Sequence, residues 1–101
     1  MKKLYAEIVL NKEELKESSS NRIELEYYKI SRKTKEKVSK KTNIYGIEIV
    51  KKEYLGKRKL REKNNIYNLT NDEKVINKLL NVLKINKVTP VALNDIVEEV
   101  L

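Results

Sequence analysis

Apolar and polar residues alternate in three stretches of the first half of the chain, and a period of two marks a strand with one buried face. In residues 4 to 10, LYAEIVL, the residues Leu4, Ala6, Ile8 and Leu10 share one parity. In residues 23 to 30, IELEYYKI, the trio Ile23, Leu25 and Tyr27 stands against Glu24, Glu26 and Tyr28. In the third stretch Tyr45, Ile47 and Ile49 alternate with Gly46 and Glu48, and a glycine inside a strand fits a bulge or a close approach by another element. A turn at Leu55, Gly56 and Lys57 then returns the chain as a polar fourth strand with only Leu60 and Ile66 to bury, which is the composition of a charged edge. The expected strands are 2–10, 22–31, 44–54 and 58–66. NKEELKESSSN, between the first two, reads as a polar loop, and SRKTKEKVSKKTN, residues 31 to 43, as a frayed strand end and an exposed basic loop.

After residue 70 the period changes. TNDE at 70 to 73 has capping-box spacing, with Thr70 as N-cap and Glu73 reaching back, and Val75, Ile76, Leu79, Leu80 and Leu83 follow on one helical face. Thr89 and Pro90 open a second helix whose apolar stripe is Leu93, Ile96, Val97 and Val100. Helices are expected at 71–85 and 90–100. The expected fold is α+β: one domain, 1–101, an antiparallel four-stranded meander followed by two C-terminal helices packed on one face of the sheet.

Composition narrows the chemistry. A chain of 101 residues supports one modest core. It has no cysteine and no histidine, which excludes Ser-His-Asp and Cys-His catalysis, disulfides and zinc-thiolate sites, so no catalytic residue, metal ligand or cofactor is expected. No apolar run is long enough for a transmembrane helix, and the expected location is the cytoplasm. The net charge of +8 resides in the first 70 residues; from residue 71 on, four lysines face five acids. Nineteen of the 23 basic residues are Lys, beside eleven Asn and ten Ile, a usage that an AT-rich genome produces by codon bias. Lysine excess alone is therefore weak support for phosphate binding.

YGIEI at 45 to 49 and VTPVALNDIVEEVL at 88 to 101 resemble the motifs of a family of small uncharacterised proteins of clostridia and related spore-forming bacteria, over roughly residues 23 to 101. The resemblance implies a small cytoplasmic protein and carries no catalytic residue.

Three candidate surfaces remain. The first is basic: Arg32, Lys33 and Lys35 in the expected loop, and Lys51, Lys52, Lys57, Arg58, Lys59, Arg61 and Lys63 around the hairpin, within a segment 32–63 holding 13 basic and four acidic residues, net +9. The second is a protein-contact face of Tyr5, Val9, Tyr28 and Val50 on the sheet side away from the helices. The third is Glu7, Glu24, Glu26 and Glu48 on that same side, which could gather a divalent cation or, more simply, pair with lysines across strands. Four glutamates oppose an RNA backbone laid on the sheet, and Asn94, Asp95, Glu98 and Glu99 make the last helix a poor reader of a DNA groove. The favoured expectation is a non-enzymatic regulator or adaptor that binds another protein. The alternative is a non-specific nucleic-acid binder gripping phosphates through the hairpin 51–63 and loop 32–41, and self-association is a third.

Overall fold

The computed structural model describes residues 1–15, 20–35 and 41–101, with the backbone alone at 35, 41 and 42. Four strands, β1 (Lys2–Asn11), β2 (Arg22–Lys35), β3 (Lys41–Leu55) and β4 (Arg58–Thr70), form one antiparallel sheet in the order β1-β2-β3-β4. Two helices follow, α1 (Glu73–Ile85) and α2 (Leu93–Val100), the second entered through a 3-10 turn at Pro90–Ala92. The meander with two C-terminal helices is the expected α+β architecture. None of the described helices is long and apolar enough to cross a membrane.

The core follows from the two periods. Leu25, Tyr27, Ile47 and Ile49 of the sheet meet Ile76, Leu79, Leu80 and Leu83 of α1 and Leu93 of α2, all at most 1 % exposed. Each removes apolar surface from water, roughly 1.5–3 kcal/mol for a fully buried Leu or Ile side chain. The helix stripes therefore select which sheet face they cover.

Helix ends depart in detail from their sequence signals. Thr70 is the last residue of β4, and its Oγ1 accepts from the Asp72 backbone N–H. The N-cap of α1 is Asp72, whose Oδ1 accepts from the Lys74 N–H at 2.9 Å, one of the donors a helix start leaves open. At the other end Lys87 takes φ 51°, and the N–H groups of Lys87 and Val88 donate to the carbonyls of Lys84 and Leu83, a Schellman closure made with lysine where glycine is usual. Val88 and Leu83 are both buried, and that contact offsets the left-handed backbone.

Strands β2 and β3 overturn the expected loop at 31–43. They stay paired without interruption to Lys35 and Lys41, so Arg32 and Lys33 lie on a strand; residues 36 to 40 lie outside those described. β3, with 15 residues, is about 46 Å long at 3.3 Å per residue, while α1 is about 20 Å. The sheet overruns the helix layer, in a molecule measuring 55 × 25 × 18 Å.

Two bulges shape it. Between Leu4 and Ala6 one extra residue, Tyr5, interrupts the pairing of β1 with β2. Between Tyr45 and Ile47 the partners jump from Thr70 to Ile66, so Tyr67, Asn68 and Leu69 rise out of the ladder opposite Gly46, with Asn68 at φ 58°.

Candidate binding surfaces

Residues paired across antiparallel strands share a face, so the register assigns each candidate. Away from the helices lie rows such as Val9, Glu24, Lys52 and Arg61; Glu7, Glu26, Val50 and Lys63; and Leu4, Tyr28, Glu48 and Asn65. Neither described helix covers them.

The glutamates of this face are mostly neutralised. Lys2 Nζ lies 2.8 Å from Glu48 Oε2, Lys52 Nζ 3.4 Å from Glu26 Oε1, and Arg22 Nε 3.7 Å from Glu24 Oε1. Among the described residues no group of three or more His, Cys, Asp or Glu is arranged to hold a metal ion. Glu48 is only 4 % exposed, and burial by itself pushes its carboxyl up. Hydrogen bonds from Lys2 and Asn65, with the charges of Lys2 and Lys63, outweigh burial and hold it below the ordinary carboxylate range. A carboxyl lowered on folding adds stability above its unfolded value, about 4.3, and that stability fades as pH falls through the folded value. Lys2→Met should therefore raise the titration of Glu48 and move the acid-unfolding midpoint, followed by circular dichroism, to higher pH; an unchanged midpoint would remove the pair from this role.

The expected contact face of Tyr5, Val9, Tyr28 and Val50 is not assembled. Val50 is 1 % exposed, so it offers no surface to a partner. The Tyr5 bulge sends Leu4 to pair with Tyr28 on the open side, 46 % exposed, while Tyr5 lines a cavity of about 370 Å³ with Lys29 and Asn77, on the side of α1. Lys2 lies over the Tyr28 ring at 4.6 Å. Val9 is half-buried.

The basic residues are also divided. Lys52, Lys59, Arg61 and Lys63 share the open face at the β3–β4 hairpin, with Lys59 Nζ 5.5 Å from the Tyr54 ring centre. Lys51 and Arg58, paired with Glu62 and Leu55, project from the opposite face, and Lys57 sits in the turn beside Gly56, whose φ of 58° the expected tight turn requires. Arg32 and Lys33 stand at the far end: Ile44, the partner of Arg32, is eleven residues, about 36 Å, from Leu55 along β3. Arg32 and Lys33 are thus a surface separate from the hairpin; the Lys35 side chain and residues 36 to 40 are outside those described.

Sequence reasoning missed a groove of about 760 Å³ near Arg32, lined also by Ile30, Ile44, Gly46, Tyr67 and Asn68. Gly46 was its one visible signal. Nothing in NNIYNLT, residues 64 to 70, announces that β4 lifts off the ladder at residues 67 to 69.

Among known proteins, the chain matches the model of a family of unknown function, DUF6514, over residues 6–101. No curated protein and no solved structure matches it.

Proposed function

Starting from a chain that belongs to the DUF6514 family of unknown function, we propose that it is a small non-enzymatic adaptor or regulator that binds a partner protein by strand addition at the free edge of β4. One observation carries the reading. Lys59, Arg61 and Lys63 project from one face of an edge strand, and among the described residues none of them lies in an ion pair. Unpaired backbone groups along the edge supply affinity for an extended segment, and three cations at every second residue select acids at every second residue of that segment. The same lysines and arginine repel a second copy of this edge, which keeps the sheet from extending on itself. The partner is thus an acidic extended segment, met in the cytoplasm of a bacterium related to the clostridia; the absence of cysteine and the codon-biased lysine and asparagine usage support that setting.

A labelled peptide with Glu at alternate positions tests this by fluorescence anisotropy. Binding should shift the backbone amide resonances of Arg58 to Lys63, and Lys59→Glu with Arg61→Glu and Lys63→Glu should weaken it by about a hundredfold. Equal affinity for a peptide of the same composition with its acids clustered would sink the strand-addition geometry.

A second reading has one observation in its favour. Alternate residues of a strand are about 6.6–6.8 Å apart, comparable with the repeat of phosphates along an extended single strand, so the same three cations suit a nucleic acid. Binding of a single-stranded oligonucleotide that falls steeply with salt, with none of the peptide, would favour it.

A further inference from the structure

The groove at the other end of the sheet is independent of the β4 edge reading, and its lining has its own chemistry. It exists because β4 rises over Gly46: a Cβ at that position would stand 2.3 Å from the Ile66 carbonyl oxygen and 3.0 Å from Tyr67 Cα, so the raised backbone sits where a side chain would be. The lifted segment carries Tyr67 and Asn68 as one wall. Ile30 and Ile44, on the open side of β2 and β3, give the floor its apolar character. Beside them is Arg32, whose Nη2 donates to Asn68 Oδ1 at 3.0 Å. That bond ties the guanidinium to the bulge and leaves its other donors available. Among the described residues no carboxylate lines the groove and none lies in an ion pair with Arg32.

We propose that this groove binds a small aromatic carboxylate, with its flat body between Tyr67 and the isoleucines and its anionic head on Arg32. The volume of about 760 Å³ falls within the range of small-molecule sites, roughly 300–1,000 Å³. Tyr67 is 58 % exposed, an aromatic ring with a face open to a planar ligand. A guanidinium held in place by a neighbour attracts an anion without first being ordered, and an uncompensated cation in the lining disfavours cationic ligands. Lys33, also in the lining, reinforces the sign.

Naphthoate and its neutral amide, naphthamide, are the probes, titrated into the full chain and followed by amide resonances. Naphthoate should shift Ile30, Arg32, Ile44, Gly46 and Asn68 saturably and bind about tenfold more tightly than naphthamide, the difference expected of a charge-assisted hydrogen bond. Arg32→Gln should lower naphthoate affinity most of the way to that of the amide, Lys33 keeping the remainder, while leaving naphthamide binding in place, and Tyr67→Ala should weaken both. Unchanged dispersion of the remaining resonances checks that each variant is folded. Equal affinity for acid and amide, shifts that do not saturate, or shifts confined to other residues would overturn the proposal.

Discussion

Gly46→Ala is expected to lose about 2–4 kcal/mol of folding stability, read as a lower urea midpoint with an unchanged slope. The argument is steric. The Cβ of alanine would lie 2.3 Å from the Ile66 carbonyl oxygen, and the nearest three atoms all belong to the β4 backbone, which cannot swing aside as a side-chain tip can. Gly46 is outside the positive-φ residues, so the alanine suffers no conformational penalty of its own there. Gly56 is the contrast: φ is 58°, nothing lies within 4 Å of the added Cβ, and Gly56→Ala should cost only the left-handed backbone, about 1–2 kcal/mol. Because the atoms displaced at residue 46 carry Tyr67, the alanine should also disturb the amide resonances of 66 to 69 more than those of the helices. A Gly46→Ala midpoint equal to the native one would mean that the bulge relaxes without cost.

These two glycines also mark how far the pattern of the chain could be read. Periodicity reports which residues are buried, and it located the core members Leu25, Ile47 and Ile49 and, of the α1 stripe, Ile76, Leu79, Leu80 and Leu83, though Val75 is only half-buried. It does not report backbone pairing, so the polar residues Arg32 to Lys35 read as a loop although the β2–β3 ladder runs through them. Nor does it report a bulge. Inserting Tyr5 reverses the parity of everything before it, which pairs Leu4 with Tyr28 on the open face, and neither side chain signals the change. Val50 fails for another reason: it does lie on the face away from the helices, yet it is buried there to 1 % exposure, which alternation cannot report. The cap of α1 moved from Thr70 to Asp72 because β4 stays paired as far as Thr70. In each case the deciding term is a contact across strands, which no local window of sequence contains. The division of the basic residues is of the same kind, since it depends on strand lengths and on which face each register position takes.

Tyr27→Phe should cost about 1–3 kcal/mol at neutral pH, and the cost should depend on pH in a way that separates it from ordinary core damage. Tyr27 is fully buried in β2, and its hydroxyl donates to the Val88 carbonyl at 2.9 Å, tying the sheet to the segment between α1 and α2 across 61 residues of sequence. Phenylalanine fills the same ring volume but leaves that buried carbonyl without its donor. Burial pushes the Tyr27 hydroxyl up from 10.0 to about 12. Its folded value is raised, so the neutral form's stabilising contribution is complete below about pH 10, where the unfolded chain also keeps the proton. From there to about pH 12 the unfolded state releases the proton while the folded state holds it, and stability falls by about 2–3 kcal/mol from this group. The phenylalanine variant has no such proton to lose. The stability gap between the two proteins should therefore be constant from pH 7 to 9 and close as pH rises from 10 toward 12, by urea unfolding at each pH. A gap that stays the same across that window would mean that the hydroxyl titrates alike in both states and that burial does not hold its proton.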